Sequence, residues 1–244
     1  MKFILEDPSF FLLTKTSGLE HIVEYQDFYI TYDWILVKES EHESIERQLL
    51  TTPAIYPITH TEILRKGYAT GLTSIEWDNC YHGYLPEQVL ICMNTQEAAD
   101  GKTNKNPFNF KKFGMKNISL IVNSHRNPSI PVEFIIPGEG YDLRNYRHFC
   151  DSTGIDLSNA SSLIGCDEYQ KDGYIIVPFD LTTDRCALVH AHQKIEGNIS
   201  LDIKLRAGTT EAINVYLICI YRDYFYIQGA PDSRKISLQY PTKK

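Results

Sequence analysis

One stretch near the end of the chain limits the possible folds more than any other. Between Asn198 and Arg206, Ile199, Leu201, Ile203 and Leu205 alternate strictly with Ser200, Asp202, Lys204 and Arg206. Side chains of a strand point to opposite faces in turn, whereas a helix would scatter these four aliphatics around its axis. The segment is therefore a strand with one buried face and one wet or interfacial face, and it needs a sheet around it. Gly208-Thr209 then turns the chain into 213–227 (INVYLICIYRDYFYI), which is apolar on both faces up to Tyr221, as in a strand covered on both sides.

The rest of the chain repeats the theme of short strands and irregular connections. Strands are expected at 9–15 (SFFLLTK), 27–38 (DFYITYDWILVK), 60–69, 72–77, 87–94, 116–123 and 173–179. In 27–38, Phe28, Ile30, Tyr32, Trp34 and Leu36 share one face; in 116–123, Ile118, Leu120 and Val122 do so. Residues 40–50 read as a short helix stopped by Pro53 and Pro57, and residues 142–151 as a helix with Leu143, Tyr146 and Cys150 at helical spacing. The stretch 95–114 is rich in Asn, Lys and Gly and reads as a loop. Pro128, Pro131 and Pro137 keep most of the next segment out of a central sheet. A strand-helix alternation is missing, so an α/β fold is unsupported. The fold class expected is all-β, a jelly-roll β-sandwich, with a boundary in 39–58.

Chemical signatures are sparse. A formal charge of -7 gives no basic footprint for nucleic acid, and no apolar run reaches the roughly 18 residues of a membrane span. Glu6, Asp7 and Pro8 interrupt the opening residues, which do not read as a signal peptide. The six cysteines (Cys80, Cys92, Cys150, Cys166, Cys186, Cys219) form no CxxC pair and read as reduced thiols, and the sequons at Asn117, Asn159 and Asn198 read as chance matches. His190-x-His192 and Cys80-x-His82 would each point two ligands the same way on a strand. A structural zinc takes about four ligands, and the sequence does not show which others converge. They read as surface or turn residues. No GxSxG elbow is present; Cys92 and Cys219 sit in apolar strands as small hydrophobes; Asp167-Glu168 beside Lys171 and Asp172 reads as a solvated face; Gly138-Glu139-Gly140 lacks the spacing of a phosphate loop. Catalytic residues, cofactor ligands and metal ligands are all expected to be none.

Particular phrases go further. AIYPITHTEI (54–63), containing Tyr56 and Pro57, resembles the "YPI-T-R-T-E" start of the second barrel in the double jelly-roll major capsid proteins of Polinton (Maverick) elements and adintovirus-like viruses. Gly83-Tyr84-Leu85-Pro86 before the strand VLICMN resembles the same family's Gly-x-Leu-Pro element. Asn104-Lys105-Asn106-Pro107-Phe108-Asn109-Phe110 is similar to its "KNPFNF" almost letter for letter. Gly173-Tyr174 to Phe179-Asp180-Leu181-Thr182 resembles "GY..F.FDLT", and Gly197-Asn198 opens a strand like its "GN-L-L-I-F". The elements keep the family's order across roughly 54–227, and the strands of 9–38 resemble the segment before the linker. Pro107 biases Asn106 away from helix, and Phe108 and Phe110 are expected to anchor the loop by burying two rings.

The resemblance implies a structural capsid subunit, not an enzyme, acting through contacts with itself and other capsid proteins. It implies homotrimers forming pseudo-hexameric capsomers, no cofactor or small-molecule substrate, no direct nucleic-acid contact, and a place in the virion, inside the host cell and not secreted. The implied layout is 1–38 as remnant strands of a first jelly roll, 39–58 as a linker with a short helix, 59–228 as the second jelly roll and 229–244 as a flexible tail. Met1 falls near the end of what should be the first barrel, so the chain is expected to be a partial gene product, a decayed or domesticated copy, or a separate short product. Arg222-Asp223-Tyr224 stands where the family's last strand has an acidic ending. Loops 95–114 and 124–172 are the expected contact regions. Two alternatives stay open: a jelly-roll carbohydrate- or ligand-binding module, which requires exposed aromatics on a concave face, and a cupin-like metalloenzyme, which requires His190 and His192 to meet a third ligand inside the barrel.

Overall fold

The structure, a computed structural model, describes residues 7–10, 12–14, 22–136, 140–155, 162–171, 173–230 and 233–239. Among the described residues nine strands are present: β1 (Ala54–Tyr68), β2 (Ser74–Tyr84), β3 (Gln88–Thr95), β4 (Met115–Val122), β5 (His125–Glu133), β6 (Ile176–Asp180), β7 (Glu196–Leu205), β8 (Ile213–Ala230) and β9 (Ser233–Gln239). Four helices accompany them: α1 (Glu39–Thr51), α2 (Gln96–Ala99), α3 (Leu143–Thr153) and α4 (Cys166–Tyr169).

The strand order defines the architecture. One sheet runs β1-β8-β3-β6 and the other β2-β7-β4-β5, with β9 paired to β8 off the main path. The neighbours include β1 with β8, β2 with β7, β3 with β6 and β4 with β5. That nesting is what results when one long antiparallel ribbon is rolled up, so that successive strands from β1 to β8 cross between two facing sheets except at the β4-β5 hairpin. It is the jelly roll, and the all-β expectation holds.

Two compact units can be separated along the chain. The larger is built on Thr61–Tyr221 and the smaller on Ile22–His60 and Arg222–Lys244. In the larger unit, the two sheets bury their facing sides. Ile199, Leu201, Ile203 and Leu205 of β7 meet the core together with Val89, Ile91 and Met93 of β3, Ile118 and Leu120 of β4, and Val215 and Leu217 of β8. The polar partners of the β7 alternation stay on the outer side: Lys204 pairs with Glu76 of β2 at 3.2 Å. Burial of this aliphatic layer, at about 25 cal/mol per Å² of apolar surface, is the main driving term for the fold.

A smaller cluster sits on α3 and α4, where Phe149, Cys150 and Tyr169 are buried with Tyr146 and Ile164 against them. Asp142 starts α3 as its N-cap, accepting from the Asn145 N–H at 3.4 Å, while its second carboxylate oxygen accepts from the Asn145 side-chain amide at 2.8 Å and from Ile135 N–H at 3.3 Å. Gly154 ends the helix in the left-handed region at φ 72°. In the smaller unit, Tyr56 of β1 stacks on Phe225 of β8 with centroids 4.9 Å apart, and His60 lies 3.7 Å from Asp223.

Several sequence expectations need correction. Residues 27–38 form no strand: 22–38 carry no regular structure and, apart from the half-buried Val23, lie exposed, Trp34 at 80% and Leu36 at 99%. Alternation marks a chain that can face two ways, but a strand exists only where a neighbouring edge accepts its hydrogen bonds, and no described strand pairs with this segment. In 9–15, Pro8–Phe10 form one 3-10 turn and residues 12–14 no strand, with residues 11 and 15 outside the described ones. The proline-rich segment forms β5, an edge strand and so not a central one, and Pro128 and Pro131 fall where its register against β4 shifts. The outer face of β8 is only half-buried at Tyr216, Ile218 and Ile220, whereas the inner face is fully closed. Of the tail, residues 233–239 form β9, and 231–232 and 240–244 lie outside the described residues, as does Asn159. No helix among the described residues is long and apolar enough to cross a membrane.

Candidate functional site

The motif residues assemble into two structural joints far apart in sequence. In the first, Asn106 Oδ1 accepts from Phe108 N–H at 2.9 Å, an Asx turn, and Asn109 N–H donates to Asn106 O at 3.2 Å. The Pro107 carbonyl accepts from the buried Asn94 amide of β3 at 2.9 Å. The Phe110 carbonyl then accepts from Gly173 N–H at 2.7 Å and Ile175 N–H at 3.3 Å. Gly173 has φ +113°, and a Cβ there would come within 3.0 Å of Asn109 Oδ1, so the KNPFNF loop and the Gly173-Tyr174 element fit only around a glycine. The expectation that both rings anchor this loop is half wrong. Phe110 is half-buried, but Phe108 is 72% exposed, because backbone and Asn hydrogen bonds already fix the turn.

The second joint brings Gly83 opposite Gly197 across β2 and β7. Tyr81 donates its hydroxyl to Tyr84 O at 2.7 Å, passing over Gly83, and Leu85 N–H donates to Ile195 O at 2.8 Å beside the buried Pro86. Asn123 Oδ1 accepts from Asn198 N–H at 2.9 Å, and Asn198 Nδ2 donates to Asn79 Oδ1 at 3.0 Å. A Cβ on Gly197 would stand 2.6 Å from Asn123 Oδ1. Gly197→Ala is therefore expected to cost about 1–2 kcal/mol, the Asn123 hydrogen bond plus local strain. Urea midpoints of the two single variants and the Gly197→Ala/Asn123→Ala double variant check it: the double should cost less than the sum. Near the other end of the motif set, Phe179 is in the core, Asp180 Oδ1 accepts from Thr182 N–H at 2.8 Å, Asp180 Oδ2 accepts from Ala187 N–H at 3.0 Å, and Leu181 N–H donates to Glu87 O at 2.9 Å. Pro57 and Tyr56 lie on β1, and Tyr174 is exposed.

The loop between β6 and β7 holds the one cluster of three potential metal-ligating groups among the described residues. Asp184, His190 and His192 bring their ligand atoms within 4.8 Å of one another. His190 Nε2 is 2.9 Å from Asp184 Oδ2, and His192 Nε2 is 2.9 Å from Asp184 Oδ1. Behind it, Glu87 Oε1 lies 3.2 Å from His192 Nδ1 and Glu87 Oε2 accepts from Leu188 N–H at 2.8 Å. Desolvation pulls the His192 basicity down, but the hydrogen bonds to Asp184 and Glu87 outweigh it and raise the pKa above the usual histidine value. The His190-His192 pair was legible in the sequence; Asp184, on an irregular loop, and Glu87, from the β2-β3 connection, carried no local signal. Cys80-x-His82 gathers no third ligand among the described residues: the Cys80 thiol donates to Ile199 O at 3.1 Å, and His82 is exposed. Burial pushes Cys80 up to about 11 and Cys92 up to about 12, which keeps both as thiols and poor nucleophiles.

No protein-family model matches the chain, and no curated protein matches it. Among solved structures it is similar to a chain in a cryo-EM structure of the Sputnik virophage (11% identity, TM-score 0.41, covering 79% of this chain and 40% of that one). It is also similar to PBCV-1 VP54 fitted into a reconstruction of Sputnik (10%, 0.43, 84% and 55%) and to a quasi-atomic model of the PBCV-1 virus capsid (9%, 0.41, 78% and 52%). The chain spans about half the length of these solved chains. The jelly-roll class itself stands on the strand order.

Proposed function

We propose that this chain is a structural capsid subunit, the second-barrel half of a double jelly-roll protein similar to those of Polinton (Maverick) elements and adintovirus-like viruses, which acts by protein–protein contact and builds homotrimeric, pseudo-hexameric capsomers. In this reading residues 59–228 are the second barrel, 39–58 a linker with a helix, 1–38 a segment that belongs with a first barrel and 229–244 the C-terminal segment; the protein resides in the virion and does no chemistry. The observation that carries the reading is the uncovered apolar segment 22–38. Phe28, Tyr29, Ile30, Tyr32, Trp34, Ile35 and Leu36 are all exposed, on both sides of an alternating run. A contiguous apolar surface of this kind marks an interaction site. The jelly-roll strand order and the joined KNPFNF and Gly173 motifs support the same reading. The cupin-like alternative is disfavoured, because His190 and His192 sit on a loop while the barrel interior is filled by aliphatic side chains.

Light scattering after size exclusion tests the proposal. The purified chain is expected to run as aggregate or an ill-defined oligomer, with a clean trimer as the outcome that most directly supports capsomer formation. A stable, well-folded monomer at all concentrations would overturn the capsid reading and move weight to a ligand-binding module built on exposed rings such as Phe108 and Tyr174.

A further inference from the structure

We infer that Asp184, His190 and His192 form a binding site for one divalent transition ion of the zinc class, with Glu87 orienting His192 from behind. Asp184 reaches both histidines: its Oδ1 lies 2.9 Å from His192 Nε2 and its Oδ2 lies 2.9 Å from His190 Nε2, with the two histidine rings 4.3 Å apart. The three ligand atoms fall within 4.8 Å of one another. Glu87 Oε1 stands 3.2 Å from Nδ1, the other nitrogen of the His192 ring. A single ion between the three side chains uses all of these groups at once.

The donor set selects the ion. Two imidazole nitrogens and one carboxylate oxygen suit zinc and its neighbours, while magnesium and calcium take oxygen ligands. Ligand atoms around a tetrahedral zinc lie about 3.3 Å apart at bond lengths of about 2.0–2.1 Å, and the three groups already fall within 4.8 Å of one another. Glu87 behind His192 is the carboxylate–histidine–metal arrangement that fixes the ring and raises its donor strength. Its own position is held by Leu188 N–H. Three protein ligands leave one position for water. His192 is only 14% exposed, and Asp184 and His190 about half, so the site opens on one side to solvent. The ion would close the β6-β7 loop on itself, beside the Asp180 hydrogen bonds that already fold that loop back, while Glu87 of the β2-β3 connection meets the loop through His192 and Leu188.

Isothermal titration of the chelator-stripped full chain with zinc chloride at neutral pH tests the inference. One ion per chain is expected, and the unfolding midpoint should rise by about 5–10 °C when free zinc is about a hundredfold above its dissociation constant. His190→Ala and Asp184→Asn should each abolish stoichiometric binding. Glu87→Gln should retain it with affinity about 10–100-fold lower, and His42→Ala, on α1, should leave it unchanged. Should a variant fail to fold, zinc protection of the wild-type histidines from diethyl pyrocarbonate, mapped by peptide mass, replaces it: protection of His190 and His192 but not His42 is expected. Absence of stoichiometric binding, binding that survives the His190→Ala/His192→Ala pair, or protection that does not distinguish His42 overturns the site. Neither result bears on self-assembly, which is read by mass.

Discussion

Phe179→Ala is expected to destabilise the larger unit by about 4 kcal/mol, within the range for deleting a buried aromatic ring. Phe179 is 1% exposed on β6, a five-residue strand at the edge of its sheet. Among the paired strands β6 is bonded only to β3, in a register that sets Phe179 opposite Val89. Short edge strands contribute few ladder bonds, so side-chain burial must hold this one in place. The ring also receives the edge of His148 at 5.6 Å, and the next residue, Asp180, organises the β6-β7 loop through Thr182 and Ala187. Removing the ring therefore opens a cavity beneath the loop's anchor as well as losing apolar burial. Urea unfolding checks it: the midpoint should fall with little change in slope, since both states keep nearly the same surface difference. Phe108→Ala, in the KNPFNF loop, is the matched control. Its ring is exposed, and the change should stay within about 0.5 kcal/mol. Equal costs for the two would mean that the core boundary has been placed wrongly.

The contrast between these two phenylalanines also shows where sequence reasoning succeeds. Period-two alternation located β4 and β7 because burial on one face leaves that pattern in the residues themselves, and a run apolar on both faces located β8. The Asn residues in 104–110 announced a turn, and Asn106 closes one. What could not be read is whatever depends on a partner. Residues 27–38 alternate as well as 198–206 do, yet only the latter has neighbouring strands on both sides. Phe108 looks like an anchor by type, but hydrogen bonds made by Asn94 and Asn106 had already done that task. The candidate ion site follows the same logic. The HxH pair is visible as text, whereas Asp184 joins it through the path of an irregular loop and Glu87 through a connection laid down about a hundred residues earlier.

Trp34→Ser, Ile35→Ser and Leu36→Ser introduced together are expected to weaken self-association at least about a hundredfold. Fully burying a side chain of this size contributes about 1.5–3 kcal/mol, and each 1.4 kcal/mol is tenfold in an equilibrium constant. Even if partner contact covers only part of the three residues, the summed loss exceeds two factors of ten. These residues are exposed at 80%, 82% and 99%, so the folded monomer should scarcely notice their replacement: its unfolding midpoint should move by no more than about 0.5 kcal/mol in equivalent stability. That separation between a large effect on assembly and a small one on folding is what distinguishes an interface from a core. Sedimentation across a range of concentrations reads the first quantity and urea unfolding the second. Ile45→Ser on the exposed face of α1 controls for the general removal of surface apolar groups and should leave the mass distribution as it is. If the triple variant retained the wild-type mass distribution, segment 22–38 would not be the contact. Association would then have to run through the exposed loops that carry Phe108 and Tyr174, whose joint is rigid enough, with its glycine and asparagine bonds, to present those rings in a fixed direction.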